Sequence, residues 1–282
     1  MPELPEVEIT ARRLDGALRG AVIESALAPG VNTLKSFAPP LDALTGLSVD
    51  RVRRRGKQLI VEAGGELALL MHLMSSGRLQ LFDKRAAPRD RTSRLLVRIA
   101  DGRELRLREF GTKQSAWAKL VPIGTLDAEE SLARLGPEAW PSAPADLGER
   151  LQGARPLHAA LRDQHVIAGI GRSWVDEILW SAGLSPFKRG GDLEPAELER
   201  LAAAMETTLG AALEHYERVI ELPIPDKLPM PLAVHRHEGE PCPRCGATLA
   251  AVNYEDYVMT YCPSCQTDGR VLKDRRLSRL LK

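Results

Sequence analysis

The 282-residue chain has no uninterrupted apolar run of about 18 residues, the length a membrane-crossing helix requires, so no transmembrane span is expected. Its start, Met-Pro-Glu-Leu-Pro-Glu, puts acids where a secretory signal needs basic and then apolar residues. That pattern excludes a signal peptide and points to the cytosol. A charge excess is missing too: 39 Lys and Arg oppose 38 Asp and Glu, for a formal net charge of +1. Taken alone, this balance argues against a nucleic-acid partner, whose usual footprint is a strongly basic surface. There are only four cysteines, and no internal repeat is visible.

The even total conceals an uneven distribution. Residues 51–57, Arg-Val-Arg-Arg-Arg-Gly-Lys, hold five basic residues in seven and no acid. The last sixteen residues carry Arg270, Lys273, Arg275, Arg276, Arg279 and Lys282 against Asp268 and Asp274, a net of +4. Either run alone could be a solvated face, and the weight of both comes from the motifs beside them.

A chain of this length suits two domains better than one, because single cores stop growing near about 250 to 300 residues. Residues 3–19 read as a helix: Val7, Ala11, Leu14 and Leu18 recur at helical spacing and Gly20 can end the element. From about 22 to 121 the pattern turns to strands. Gln58 to Ala63 and Glu66 to Leu73 form one hairpin, joined at Gly64-Gly65. Gly136, Pro137, Pro141, Pro144 and Gly148 punctuate a stretch of poor periodicity that reads as a linker. Leu157 to Asp163, Ser173 to Ala182 and Glu194 to Glu217 are the best helices beyond it, and a proline-rich loop at 222–231 precedes the cysteines. The expected fold is α+β. A β-sandwich with a leading helix fills residues 1–135, a linker 136–150, a helical domain 151–233, and a metal-binding ribbon with a basic tail 234–282.

The cysteines are Cys242, Cys245, Cys262 and Cys265, two Cys-x-x-Cys pairs sixteen residues apart. Each short knuckle presents two sulfurs from one turn, and four thiolates complete the tetrahedral shell that zinc prefers. A cytosolic location disfavours a pair of disulfides, and two matched pairs disfavour a redox dithiol. A closed four-sulfur site leaves no open position for chemistry, so the Zn2+ would be structural. His235 and His237 lie close by in sequence, and they are expected at the surface or facing a nucleic acid.

If Met1 is removed, Pro2 presents a secondary amine that can attack an electrophilic carbon and form an iminium ion. An α-amine titrates at about 7.7 to 8.0, so part of it is neutral near physiological pH, and the positive end of a helix would lower that value further.

Met-Pro-Glu-Leu-Pro-Glu-Val-Glu resembles the start of the formamidopyrimidine-DNA glycosylase and endonuclease VIII family, and more closely its first branch. Four further islands carry the resemblance along the whole chain: Arg-Gly-Lys at 55–57, His-Leu-Met-Ser-Ser-Gly-Arg-Leu at 72–79, Asp-Gln-His-Val-Ile-Ala-Gly-Ile-Gly at 163–171, and the stretch from Gly239 to Gln266. The resemblance implies a helix-two-turn-helix within 163–182 and a bifunctional DNA glycosylase and abasic-site lyase of base excision repair. In this reading Pro2 attacks C1′ of deoxyribose, Glu3 protonates or polarises the ring oxygen, Glu6 organises the site, and Lys57 holds phosphate beside the lesion. His72, Met74, Ser75, Arg108 and Phe110 would face the DNA, together with Gly169, Gly171 and Arg172 of the helical element and Arg270 of the tail. The implied partner is double-stranded DNA with damaged bases or abasic sites, met by a monomer in the cytosol or nucleoid of a bacterium.

The chain departs from the family's pattern at several DNA-reading positions. Ser75 stands where a void-filling methionine is usual, with Met74 before it, and Glu109 stands where a second arginine would read the opposite base. Arg172 replaces a phosphate-binding asparagine, His158 a frequent lysine, and Tyr257 an arginine of the ribbon hairpin, for which the basic tail could substitute. The loop at 218–231 lacks a Gly-Gly-Thr-Thr signature. Retained imine chemistry with altered lesion or structure preference is the expectation. A binder of damaged or abasic DNA that has lost turnover is the alternative, and a zinc-ribbon nucleic-acid adaptor with an incidental proline is a more distant one.

Overall fold

In a computed structural model, which describes residues 1–87, 90–110, 114–254 and 257–272, the leading helix α1 covers Leu4–Leu18. It starts and stops one residue inside the span expected from its apolar spacing. Val7, Leu14 and Leu18 are fully buried and Ala11 nearly so, which makes them one face of a core. Gly20 ends the element in a left-handed conformation, φ +79°, that a side chain would strain.

Eight strands follow: β1 (Ile23–Leu27), β2 (Val49–Arg55), β3 (Gln58–Ala63), β4 (Leu67–His72), β5 (Gly77–Phe82), β6 (Ser93–Ile99), β7 (Glu104–Glu109) and β8 (Trp117–Pro122). They make two four-stranded sheets, in the orders β1-β6-β7-β5 and β2-β3-β4-β8, with every neighbouring pair antiparallel. Leu59, Val61, Leu69 and Met71 of one sheet share a single core with Leu79, Leu95, Val97, Leu105 and Leu107 of the other and with the α1 stripe. The β3–β4 hairpin turns at Gly64 and Gly65, φ +62° and +66°, the double positive φ that lets a two-residue loop match strand twist. This unit spans Met1–Arg134 and also takes in Leu213–Pro229. A short helix α2 (Glu130–Ala133) closes its first segment.

The second unit comprises Leu135–Ala212 and Met230–Lys282. Its helices are α3 (Leu147–Leu151), α4 (Leu157–Leu161), α5 (Arg172–Ala182) and most of α6 (Pro195–Val219). A hairpin of β9 (Ala250–Asn253) and β10 (Val258–Tyr261) then leads to α7 (Pro263–Thr267). Residues 136–150, expected as a linker, are packed structure. The Gly136 and Ala139 amides donate to the carbonyls of Gln164 and Ala168, and Ala139, Leu147 and Leu151 are buried. Proline and glycine mark turns here without marking freedom, because apolar side chains between them reach a core.

Two adjacent acids at the centre of α5 attach the ribbon. Glu177, 3% exposed, accepts the amides of Ala233, Val234 and His235 at 2.8 to 3.0 Å. Asp176, 1% exposed, accepts the Thr260 amide of β10 at 3.0 Å and faces His235 Nδ1 at 2.7 Å. His235 is therefore an interior residue bound to a carboxylate, which corrects the expectation of a surface or DNA-facing role. His237 is half-buried and pairs with Glu240 at 2.9 Å.

Gly77 opens β5 where a Cβ would lie 2.3 Å from the Leu73 carbonyl oxygen, which itself accepts the Gly77 amide. Gly77→Ala is therefore expected to push apart the 73–77 turn and cost about 1–3 kcal/mol. A shift in the denaturant midpoint at unchanged m-value checks this.

Candidate active site and metal centre

Pro2 is buried while Met1 is half exposed, so the first residue covers the nitrogen of the second. The backbone amide of Glu3 donates to Glu6 Oε2 at 2.8 Å, half of a capping box at the head of α1. The other Glu6 oxygen accepts the Tyr216 hydroxyl at 2.7 Å, and Glu6, Glu3 and Tyr216 are all almost wholly buried. Burial and then the Glu6 charge push the Tyr216 hydroxyl far above its ordinary value, which keeps it a proton donor to that carboxylate.

The Met1 amine, joined to the Pro2 nitrogen through one residue, titrates below its ordinary value, mainly because burial disfavours its charged form. Glu3 and Glu6 oppose that shift, whereas Arg78 and Lys57 add to it. Electrostatic reach therefore gathers Glu3, Glu6 and Lys57, three of the residues singled out in the sequence, around the amine. Arg78 joins them without having been anticipated. Lys57 itself is only 7% exposed and follows Gly56, whose φ of +55° lets β2 turn into β3.

The 72–77 loop lies one strand away. His72 stacks on Trp117 with ring centroids 5.9 Å apart, and its Nδ1 accepts the Met74 amide at 2.9 Å. That bond holds Met74 at φ +50°, a conformation few side chains adopt unaided. Ser75, at the tip, is exposed. Burial first, then the Lys57 charge, press His72 down to about 4, so its ring is a neutral acceptor at pH 7.

Arg108 bonds to Gln80 Oε1 at 3.0 Å, Thr92 Oγ1 at 3.1 Å and Asp226 Oδ1 at 3.3 Å, and its guanidinium lies 4.7 Å from the Phe110 ring centre. Gly111, beside Phe110, lies outside the described residues. Glu109 does not occupy a base-reading position. Its side chain is 3% exposed, and Oε1 accepts the amides of Ser115 at 2.7 Å and Ala116 at 3.0 Å. Strand alternation explains the difference, because neighbours in β7 must face opposite sides of the sheet. The 222–231 loop is fastened to the same sheet: Gln80 donates to the Ile224 carbonyl, Arg78 to the Asp226 carbonyl, and Arg108 pairs with the Asp226 carboxylate.

In the second unit, Gln164 closes the turns before α5. Its Oε1 accepts the Gly169 amide at 3.0 Å, and its Nε2 donates to the carbonyls of Arg162 and Ile170. Gly169 sits at φ +105° and Gly171 is the N-cap of α5, with Arg172 exposed directly after it. Arg270 is exposed beyond α7, and the rest of the basic tail, 273–282, lies outside the described residues.

The four cysteine sulfurs lie within 4.8 Å of one another, with Cys242 and Cys265 3.9 Å apart and Cys245 and Cys262 3.5 Å apart. Those separations fit a tetrahedron with metal–sulfur bonds of about 2.3 Å, whose corners are about 3.8 Å apart. They are far from the ~2 Å of a disulfide, and all four cysteines are free. Trp180 Nε1 donates to Cys242 Sγ at 3.4 Å, with the Arg244 guanidinium 4.6 Å from the Trp180 ring centre. Burial pushes Cys265 up to about 12, whereas hydrogen-bond donors outweigh burial at Cys242 and pull it down to about 6. A divalent cation removes that disparity by neutralising all four thiolates together. The set fits a structural zinc.

A β-sandwich whose leading helix buries an amino-terminal proline, together with a helical unit carrying turn-bound glycines and a four-cysteine ribbon, is the architecture of a zinc-ribbon DNA-repair protein. Residues 1–112 match the family model of the formamidopyrimidine-DNA glycosylase N-terminal domain, and residues 135–222 that of its H2TH domain. The chain belongs to the formamidopyrimidine-DNA glycosylase family. It is 33% identical to the formamidopyrimidine-DNA glycosylase of Cereibacter sphaeroides, with 94% of this chain and all of that protein covered. It is 30% identical to that of Latilactobacillus sakei, with 94% and 98% covered. Among solved structures, it resembles Lactococcus lactis Fpg in complex with abasic-site DNA, with a TM-score of 0.82, 26% identity, and 94% of this chain and 99% of that one covered. A complex of the Lactococcus lactis protein with N7-benzyl-Fapy-dG DNA gives a TM-score of 0.84 and 27% identity, covering 94% and 100%.

Tyr216, Arg78, Gln80 and Asp226 were not singled out from the sequence. Arg78 and Gln80 lie in or just beyond the 72–79 island, where nothing local marked them, whereas Tyr216 and Asp226 come from a segment far along the chain.

His72 makes acid stability testable. Its folded value lies below its unfolded one, so it contributes fully above about 6.5, and the contribution is lost as pH falls toward about 4. Up to about 3 kcal/mol is at stake. His72→Asn, which keeps an acceptor but does not titrate, is expected to flatten the stability profile between those limits. Metal analysis should give one zinc per chain, and chelation should change Trp180 emission and release amide-exchange protection in β9–β10.

Proposed function

We propose that the protein is a bifunctional DNA glycosylase and abasic-site lyase of base excision repair whose nucleophile is the Pro2 nitrogen, freed by removal of Met1. The reading rests chiefly on the burial of Pro2 at the head of α1, directly before Glu3 and near Glu6, with Lys57 and Arg78 in electrostatic reach of the Met1 amine joined to it.

Burial keeps a fraction of such an amine neutral and nucleophilic near pH 7. The Pro2 nitrogen attacks C1′ of the deoxyribose, the glycosidic bond breaks, and the base leaves with a proton. Glu3 delivers a proton to the ring oxygen as the sugar opens, and an iminium ion results. Its positive charge acidifies C2′; loss of that proton expels the 3′ phosphate, and a second elimination expels the 5′ phosphate. Water then hydrolyses the imine and restores the amine. Glu6, held by the Glu3 amide and the Tyr216 hydroxyl, fixes the helix start against these changes. Lys57 serves the phosphate beside the lesion.

A base inside a duplex exposes neither C1′ nor its glycosidic bond, so the nucleotide must leave the stack. Met74, Ser75, Arg108 and Phe110 are the residues we assign to the vacated space, with His72 supporting the loop. Gly169, Gly171, Arg172 and Arg270 are assigned to the DNA backbone. The lesion preference differs from that of an oxidised-guanine enzyme, because the 222–231 strap and the inward Glu109 leave fewer groups to read the base or its opposite. The protein acts as a monomer in the bacterial cytosol; among the described residues no helix is long and apolar enough to cross a membrane.

Borohydride trapping on abasic-site duplex tests the nucleophile. The native protein should form a covalent adduct, Pro2→Gly should lower its yield at least tenfold, and a tag that retains Met1 should abolish it. Glu3→Gln should slow base release by about 10²–10⁴. Tight lesion binding without any adduct would instead identify a non-catalytic binder.

A further inference from the structure

With Glu109 turned inward, the base opposite a vacated site falls to Arg108, the β7 residue before it. That arginine is already engaged. Its Nη1 donates to Gln80 Oε1 at 3.0 Å and pairs with Asp226 Oδ1 at 3.3 Å, and its Nε donates to Thr92 Oγ1 at 3.1 Å. The ring centres of Phe110 and Phe82 lie 4.7 and 5.6 Å from the guanidinium carbon, and only 21% of the side chain is exposed.

Of the three hydrogen-bond partners, Asp226 alone is charged, and its position does not depend on Arg108. Gln80 Nε2 donates to Asp226 Oδ1 at 3.0 Å and also to the Ile224 carbonyl, while Arg78 Nε donates to the Asp226 carbonyl at 2.6 Å. The carboxylate is therefore a fixed anion that stays in place when Arg108 moves. An arginine reaches into a duplex only by giving up these bonds, so the base it meets competes with Asp226 for the same donors. A base edge with well-placed acceptors can take a guanidinium fork, and an edge that offers donors cannot. A partly exposed ion pair shifts such an equilibrium by only about two- to fivefold. That is enough to draw Arg108 back from a poorly matched base and too little to withhold it from a well matched one.

We propose that Asp226 is a specificity-determining residue that sharpens the choice of base opposite the lesion by competing for Arg108. The inference rests on the reading of Arg108 as a group that enters the vacated space. Asp226 is a positioning residue: it acts through Arg108 and needs no contact with a nucleotide, and the segment that bears it stays fastened by Arg78 and Gln80.

The test is the affinity of the full-length zinc-loaded chain for duplexes carrying a tetrahydrofuran abasic analogue opposite each of the four bases, which requires no base excision. Asp226→Asn keeps an oxygen for Gln80 and removes the charge. It should tighten binding to the weakest opposite base about two- to fivefold and leave the strongest unchanged, so the spread among the four narrows by that factor. Arg108→Ala should flatten the spread by itself, and adding Asp226→Asn to it should change nothing further. Glu221→Gln, which removes an exposed acid of the same segment, should leave the spread as in the native protein. Equal tightening for all four bases in Asp226→Asn would mean simple relief of repulsion from phosphate and would overturn the proposal. So would a native spread in that variant, an undiminished effect of it in the Arg108→Ala background, or a native protein with no opposite-base preference. Failure of native protein to trap on abasic DNA, with the narrowed spread intact, would count against the imine chemistry and leave the competition standing.

Discussion

A single buried carboxylate governs the first unit. Glu6 receives the Glu3 amide on one oxygen and the Tyr216 hydroxyl on the other, so its charge is met by two fixed donors in a place water does not reach. Losing either donor would leave part of a buried anion unmet, which is expensive. The start of α1 is therefore not free to fray, and the two residues that precede it inherit a defined position. The Tyr216 contact also binds the end of α6 to the helix that opens the chain, an interaction spanning 210 positions of sequence.

The second unit depends on Asp176 and Glu177 in a comparable way. A lone ribbon with four sulfurs around a metal has little core of its own, and here one acid fixes the segment entering it while the other fixes β10 within it. Burial holds the Glu177 carboxyl above its ordinary value even with three amides donating to it. Trp180, one turn further along α5, reaches a ligand sulfur directly. One face of one helix thus serves both the metal and the hairpin.

What was legible in the sequence was local. The apolar stripe of α1, the Gly64-Gly65 hairpin and the paired cysteine knuckles each express their geometry within about twenty residues, and the structure follows them closely. The placement of Pro2 just before the first helix was legible too, because Pro2, Glu3 and Glu6 are neighbours at one helix start. What escaped was pairing at a distance. Glu109 stands where the family resemblance implies an arginine that reads the opposite base, whereas two amides several residues on draw it inward. His235 took its meaning from nearby cysteines in sequence, yet its partner is a carboxylate 59 positions earlier. Residues 136–150 had the composition of a tether, and only the burial of Ala139, Leu147 and Leu151 distinguishes a packed segment from one.

The strap at 222–231 carries Pro223, Pro225, Pro229 and Pro231, each with a nearly fixed φ, and three side chains of the sheet grip it. A segment so restrained has already given up most of its conformational entropy during folding. Little remains to be lost in any contact the strap makes, and little can be gained through its further ordering. Whatever meets this segment meets a surface whose shape was settled when the chain folded.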